Sequence, residues 1–195
     1  MKSISLILAL HNHQPVGNFD HVLEWAYEKS YKPFLDLLEA HPSIPVVIHN
    51  TGCLADFLMA RHPDYFDRLR ALVEAGRLEI MSGGYYEPIL PAIPEEDRIG
   101  QIRKLSQFVQ DTTGFEPQGM WTAERVWEPQ LPFAMRQAGM RYTILDDSHF
   151  FASGLEEKDT LGYYLTEDQG SSVAVFPSSE KLRYTIPFAD VQETL

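Results

Sequence analysis

Short apolar runs recur along the chain, and each is followed by a stretch whose apolar residues have helical spacing. The runs predicted to be strands are residues 4–10, 44–48, 78–81, 142–145 and 173–176, together with one that ends at Glu124. Regular alternation of strand and helix is typical of a parallel α/β fold. The first strand is expected to be buried on both faces, as the strands of parallel sheets are.

Prolines and glycines give the predicted helix boundaries. Pro33 should break or restart the helix that follows the first strand. Pro94 is followed by three acidic residues, as is typical of the first turn of a helix. Gly76 and Gly139 stand at positions where glycine commonly ends a helix. Residues 156–169 are partly charged and carry no chemical signal, so they are predicted to form an exposed loop.

The predicted strands end in polar residues that could share one site. These are His11 and His13, His49 and Asn50, Tyr85 and Glu87, Glu124, Asp146 and Asp147, and Ser178 and Ser179. One site ringed by all strand ends is how a TIM-like barrel is organised, whereas an open doubly wound sheet concentrates its site at one switch point. The sequence therefore predicts a single α/β domain over residues 1–195, an incomplete TIM-like barrel of about six parallel strands with crossover helices. Nucleotide binding is poorly supported, since no glycine-rich phosphate motif follows the first strand.

Composition narrows the choice of partners and compartment. The net charge of -12 argues against nucleic acid or an anionic membrane as a partner. Cys53 is the single cysteine, which favours a reducing compartment and predicts a cytoplasmic protein. No apolar run approaches the length of a membrane span. The first ten residues have no small-residue cleavage pattern and are interpreted as a strand instead of a signal peptide.

Residues 121–129 read Trp-Thr-Ala-Glu-Arg-Val-Trp-Glu-Pro and concentrate the chain's candidate chemistry. Aromatic rings stack on the apolar faces of pyranoses, and carboxylates act on hydroxyls and on the anomeric centre. Two tryptophans, an arginine and two carboxylates are too costly to bury together for packing alone. The alternative is a surface loop in which Arg125 pairs with Glu124 or Glu128.

His11 and His13 are two residues apart on a strand and therefore point to the same side. With His49 or an acid they could bind a divalent metal, they could donate hydrogen bonds to sugar hydroxyls, or they could be core histidines. Substrate contact is the favoured interpretation, because an HxH pattern is a weak metal signal.

Two further stretches allow both a functional and a structural interpretation. Tyr85, Tyr86 and Glu87 could supply stacking and hydrogen bonds to a ligand, or form a tight turn with packed tyrosines. Asp146 and Asp147 could be a general acid with its orienting partner, or residues that cap a helix, and capping is the favoured interpretation.

Taken together, the motifs resemble a known family. Residues 11–15, 83–88 and 121–129 resemble the first three conserved regions of glycoside hydrolase family 57. Residues 145–150 and 176–184 resemble its branch of 4-α-glucanotransferases and α-amylases. The resemblance covers nearly the whole chain, and this order of motifs is specific.

The resemblance implies a (β/α)7 barrel that acts on α-1,4-glucans or maltooligosaccharides with retention, with no cofactor and no metal. Glu124 would be the nucleophile. A retaining enzyme needs two carboxyls about 5 Å apart, but the region that carries the acid/base aspartate is not found in these residues. The chain is therefore expected to be the N-terminal part of such a barrel. Because proton donation typically supplies about 10²–10⁴-fold, weak activity is expected, and an open barrel edge should favour self-association.

The resemblance places His11, His13, Glu79 or Glu87, and Trp121 at or beside the donor-sugar subsite. The full set of predicted substrate contacts is His11, His13, His49, Glu79, Tyr85, Glu87, Trp121, Arg125, Trp127 and Asp147. Two alternatives remain open. A non-catalytic α-glucan-binding module would not need Glu124, and a metal-dependent polysaccharide deacetylase would need a metal. The choice between transferase and hydrolase stays open as well.

Overall fold

The computed structural model describes residues 5–194, in which strands and helices alternate. The strands are β1 (Ala9–Asn12), β2 (Val46–Asn50), β3 (Leu78–Ile80), β4 (Ser82–Gly83), β5 (Gly119–Trp121), β6 (Tyr142–Asp146), β7 (Tyr164–Asp168) and β8 (Ser171–Ser178). The helices are α1 (Asp20–Ala26), α2 (Lys32–Ala40), α3 (Gly52–Arg61), α4 (Asp64–Glu74), α5 (Glu95–Thr113), α6 (Leu131–Gln137), α7 (Asp147–Ala152), α8 (Glu180–Thr185) and α9 (Val191–Thr194). Within these residues, no helix combines the length and the apolar character that crossing a membrane requires.

The strands form two sheets that run into each other. Parallel strands β1, β2 and β3 make the first sheet, and the second has the order β4-β5-β6-β8-β7, in which β7 alone is antiparallel. Met81 is the one residue between β3 and β4. Its N–H still donates to the carbonyl oxygen of Ile48 in β2, at 2.8 Å, while the next residue, Ser82, already pairs with Met120 in β5. The predicted succession of parallel strands with crossover helices is confirmed.

The register of β1 and β2 decides which side chains face the barrel interior. His11 lies opposite His49 and Asn12 lies opposite Asn50, and successive side chains on a strand point to opposite faces. The amide of Asn12 donates to Asn50 Oδ1 at 2.8 Å, and Tyr65 of α4 donates to the same oxygen at 3.2 Å. Because the asparagines face the helices, the two histidines face inward.

An apolar core between the sheet and the helices fixes these strands. The largest cluster includes the fully buried Leu35, Ile48, Leu54, Leu58, Leu69 and Leu105. A second cluster surrounds Met120 on β5, with Leu131 and Met135 of α6. Burial of each such side chain is worth about 1.5–3 kcal/mol, so the core holds the carboxyl ends of the strands in place.

Pro33 does not break the helix following β1, but it stands in the first turn of α2, so the predicted restart is confirmed. Residues 20–40 form one helical run, in which Tyr27–Tyr31 makes a π-helical segment between α1 and α2. The N–H of Lys32 donates to the carbonyl of Tyr27, five residues earlier. A proline ring clashes with the carbonyl four residues before it in an α-helix, and the wider π turn accommodates it. Gly76 and Gly139 have φ of +67° and +89° and confirm the predicted helix ends.

Two strand predictions need correction. The strand predicted at residues 4–10 is observed at Ala9–Asn12, and residue 4 lies outside the described residues. Its predicted burial on both faces is wrong, because β1 is only half-buried and pairs with β2 on one side alone within the described part. The predicted loop at residues 156–169 is also wrong over Tyr164–Asp168, which pairs with β8 as β7. The prediction failed because β7 is a half-exposed edge strand, and its acidic residues gave the segment the composition of a loop.

Candidate active site

Five of the predicted site residues meet at the ends of β1, β2, β4 and β5, and we call them the histidine cluster: His11, His13, His49, Glu87 and Trp121. The Nδ1 atoms of His11 and His49 are 2.8 Å apart. His11 Nε2 lies 3.0 Å from Glu87 Oε1, and His13 Nδ1 contacts the other oxygen of the same carboxylate. The Trp121 ring stacks on His11 with centroids 4.6 Å apart and an interplanar angle of 12°.

The hydrogen-bond pattern assigns the protons within this cluster. The Glu87 carboxylate only accepts, so His11 Nε2 and His13 Nδ1 are the donors to it. His49 is 1% exposed, and burial, reinforced by His11, lowers the pKa of His49 to about 3. A neutral His49 that donates from Nδ1 to His11 leaves its Nε2 unprotonated, which agrees with the absence of a hydrogen-bond partner for that atom in residues 5–194.

Gly83 is the residue that lets His49 occupy this position. A Cβ added to Gly83 would lie 2.7 Å from His49 Nε2 and 3.0 Å from the carbonyl oxygen of Trp121. Four residues later, Glu87 has φ of +52° and donates its N–H to the carbonyl of Gly84 at 2.9 Å. The glycines of this loop therefore serve close packing, as well as the turn that brings Glu87 back to the histidines.

Glu87 is ionised at the centre of the cluster. Its side chain is 9% exposed, and burial alone would raise its pKa. The hydrogen bond and charge of His11, followed by the hydrogen bond of His13, outweigh that effect and lower the pKa of Glu87. An anion held between two ring N–H groups orients both histidines. His13, whose side chain is 47% exposed, remains accessible to a ligand.

Glu124 stands on an exposed turn directly after β5. In the turn Ala123–Arg125, Glu124 has φ of +50° and ψ of 13°, which are left-handed values and interrupt any helical turn. Trp121, three residues earlier, belongs to the histidine cluster, so the turn begins at the edge of that cluster. Glu124 is exposed, and its carboxylate enters no hydrogen bond or ion pair within residues 5–194.

Arg125 pairs with Asp146 at the end of the neighbouring strand β6. Its Nε lies 3.0 Å from Asp146 Oδ1 and 3.1 Å from Oδ2. Arg183 of α8 approaches Asp146 Oδ1 to 3.5 Å from the other side. The alternative in which Arg125 pairs with Glu124 or Glu128 is therefore wrong. Sequence reasoning missed both ionic partners of Asp146, although Arg183 lies within the stretch 176–184 that carried part of the family resemblance.

Glu79 lies inside the barrel, two residues before the level of His49. On β3 it pairs in register with Val47 of β2, and its carboxylate accepts a hydrogen bond from the hydroxyl of Tyr142 on β6. Burial, followed by Glu79, raises the pKa of Tyr142. The Tyr142 ring lies over Gly119, where a Cβ would come within 2.1 Å of it. Sequence reasoning gave no signal for this cross-barrel contact.

Besides Glu79, Glu124 and Arg125, three more predicted site residues lie outside the histidine cluster. Tyr85 is buried in the core, and its hydroxyl donates to Asp56 of α3. Trp127 packs against the apolar clusters beneath β5 and β6. Asp147 accepts the backbone N–H of Glu180 at 3.0 Å, beside Ser179, whose hydroxyl caps α8. Their contact with substrate stays a prediction that these positions do not support.

His11, His13 and Glu87 each offer a metal-ligating atom, and these atoms lie within 4.8 Å of one another. Imidazole nitrogen and carboxylate oxygen suit a zinc ion. The same atoms are, however, already joined by hydrogen bonds, and both ring nitrogens that face Glu87 would have to lose their protons to bind an ion. These three side chains already satisfy one another through hydrogen bonds, which favours an organising role over metal ligation.

Comparison with known proteins gives consistent matches. Residues 7–194 match the family described as glycosyl hydrolase family 57. Alpha-amylase 1 of Dictyoglomus thermophilum is 53% identical over 194 residues, and the 4-alpha-glucanotransferase of Thermococcus kodakarensis is 47% identical over 195 residues. These alignments cover 100% of this chain but 28% and 30% of the two relatives.

The crystal structure of the 4-alpha-glucanotransferase of Thermococcus litoralis has a TM-score of 0.97 and 45% identity, over 100% of this chain and 30% of that one. The agreement confirms the predicted partial TIM-like barrel. The chain therefore spans less than a third of the length of these three relatives.

Proposed function

Because this chain belongs to glycosyl hydrolase family 57, we propose that its strand-end site serves a retaining α-1,4-glucan-processing enzyme, a 4-α-glucanotransferase or an α-amylase. The observation that carries the proposal is the position of Glu124. It is exposed and without an ionic partner in the described residues, directly after the strand whose Trp121 stacks in the histidine cluster. A carboxylate so placed suits attack on an anomeric carbon.

In the proposed reaction Glu124 forms a bond to the anomeric carbon as the bond to the leaving oxygen breaks, which gives a covalent glycosyl-enzyme. Water or a sugar hydroxyl then releases the glycosyl group with net retention. Trp121 and His13 supply a stacking face and a hydrogen-bond donor for the donor sugar. His49 and Glu87 hold the ring of His11 in a fixed orientation at the site. The resemblance assigns proton donation to an aspartate outside these 195 residues.

A substrate with a good leaving group tests the nucleophile by itself. Fluoride departs with little protonation, so α-maltosyl fluoride should trap a maltosyl ester on Glu124 without the acid. We expect intact-mass spectrometry to show the adduct in the wild type and in Glu128→Gln, which alters an exposed glutamate of the same loop. Glu124→Gln should show none.

A folded wild-type chain that never forms the adduct would contradict the proposed function. If that chain still bound maltooligosaccharides, the binding-module interpretation would replace it. Ordinary maltooligosaccharides should be turned over slowly by the 195-residue chain, because their leaving groups need a proton donor.

We also propose that the isolated chain self-associates through exposed apolar side chains near the outer strands. Leu165 on the edge strand β7 is 71% exposed, and Leu6, before β1, is 69% exposed. Sedimentation velocity should show a concentration-dependent oligomer that Leu165→Glu weakens. A monomer at every concentration would contradict this. The single Cys53 leads us to propose a cytoplasmic location.

A further inference from the structure

The turn that presents Glu124 has an unusual backbone. Glu124 and Arg125 are consecutive residues with φ of +50° and +52°. The left-handed region is unfavourable for residues with a Cβ, and such residues persist there only when their surroundings hold them. One restraint is local, since the N–H of Arg125 donates to the carbonyl of Thr122 at 2.8 Å. The N–H of Val126 also donates to the carbonyl of Ala123, at 3.1 Å, and the side chain of Arg125 adds a restraint from outside the turn.

That restraint is the contact between Arg125 and Asp146. The Arg125 side chain is 14% exposed, and its Nε is within 3.1 Å of both oxygens of Asp146. Asp146 is the last residue of β6, whose backbone pairs with β5 on one side and β8 on the other. Because Asp146 lies on a central strand, its charge-assisted contact fixes the guanidinium of Arg125. The fixed side chain in turn restrains the left-handed backbone of Arg125, the residue next to Glu124.

We infer that Asp146 is a positioning residue: it holds Arg125, Arg125 holds the left-handed turn, and the turn aims the Glu124 carboxylate at the sugar. The inference rests on the proposed role of Glu124. It assigns to Asp146 neither proton transfer nor contact with substrate. Its consequence is that loss of the Asp146 charge should slow the attack by Glu124 without weakening sugar binding.

Asp146→Asn tests this while keeping the size of the side chain. With α-maltosyl fluoride, we expect the maximal rate of adduct formation to fall about 10- to 100-fold, since an error of about 1 Å in position has effects of that size. The concentration that gives half the maximal rate should not change.

Arg183→Gln is the matched control, because it removes the other charge near Asp146. Its contact is longer and its side chain is 44% exposed, so the rate should fall less than about threefold. Equal losses in the two variants, or no loss in Asp146→Asn, would overturn the inference.

A second pair of variants separates backbone positioning from a simple charge effect. Arg125→Ala and Arg125→Gly both remove the contact with Asp146, but only glycine adopts a φ near +52° freely. The glycine variant should therefore react about 5- to 10-fold faster than the alanine variant. Equal rates would mean that the backbone conformation is not what the contact preserves.

Backbone NMR decides the question even if the wild type forms no adduct, an outcome that would defeat the proposed function instead. The ¹³Cα and ¹³Cβ shifts of residues 124 and 125 report the left-handed conformation directly. In Asp146→Asn these shifts should move toward right-handed or extended values, and in Arg183→Gln they should match the wild type. Unchanged shifts in Asp146→Asn would overturn the inference independently of catalysis.

Discussion

Replacing Gly83 with alanine tests the packing behind the histidine cluster. The new Cβ would lie 2.7 Å from His49 Nε2 and 3.0 Å from the carbonyl oxygen of Trp121. Neither neighbour can withdraw easily. The His49 ring is 1% exposed and is bonded to His11 at 2.8 Å, and the carbonyl belongs to the backbone of β5, which pairs with β4.

Overpacking of this kind is worth about 1–3 kcal/mol of lost stability. For a domain of this size each kcal/mol shifts Tm by about 2–4 °C, so Gly83→Ala should lower Tm by about 2–12 °C. Because the contact falls on Nε2 of His49, the ring should also tilt away from His11. The ¹⁵N shifts of both imidazoles should then change.

Gly100→Ala is the matched control for this variant. Gly100 lies in α5, and no atom lies within 4 Å of a Cβ added there. Alanine is favoured over glycine inside a helix by about 0.5–1 kcal/mol, so this variant should unfold at a slightly higher temperature than the wild type. Calorimetric scans of the three proteins make the comparison. A Gly83→Ala protein as stable as the wild type would refute the packing argument.

Three more predictions follow from the interior of the barrel. The pKa of His49 falls from 6.5 to about 3 on folding, so the unfolded chain binds more protons between those values. Stability should then decline as the pH falls from about 6.5 toward 3, by up to about 1.4 kcal/mol per pH unit, and urea titrations should show a smaller decline in His49→Gln. Tyr142→Phe leaves the Glu79 carboxylate without its donor and should cost about 1–3 kcal/mol in urea unfolding, of which the double variant with Glu79→Leu should recover part. Dialysis against EDTA should leave Tm unchanged, and a stoichiometric ion found by mass spectrometry would contradict the hydrogen-bonded description of the histidine cluster.

The sequence could predict the parallel strands because each combines an apolar run with a polar end. His11, His49 and Trp121 follow from the same rule, since the carboxyl ends of parallel strands meet at one edge of a barrel. Gly76 and Gly139 were predictable because glycine alone adopts positive φ without strain. These features depend only on local sequence and on the fact that the strand ends of a barrel meet at one edge.

What escaped prediction depends on directions that only the folded chain sets. Tyr85 and Glu87 are two residues apart in one loop, yet the first faces Asp56 and the second faces the histidines. Arg125 pairs with Asp146, 21 residues later in the sequence, whereas the sequence alone favours one of the glutamates beside it. On a strand, alternation predicts the direction in which each side chain points. In a loop that contains a residue with positive φ, such as Glu87, this rule no longer applies.

The location of the trapped sugar tests the central claim most directly. The wild-type chain would be incubated with α-maltosyl fluoride, digested at acidic pH to preserve the ester, and sequenced by tandem mass spectrometry. We predict that the maltosyl group is found on Glu124 and on no other carboxylate. A sugar attached to Glu87 or Glu79, or a folded chain with no attached sugar, would contradict the assignment of Glu124 as the nucleophile.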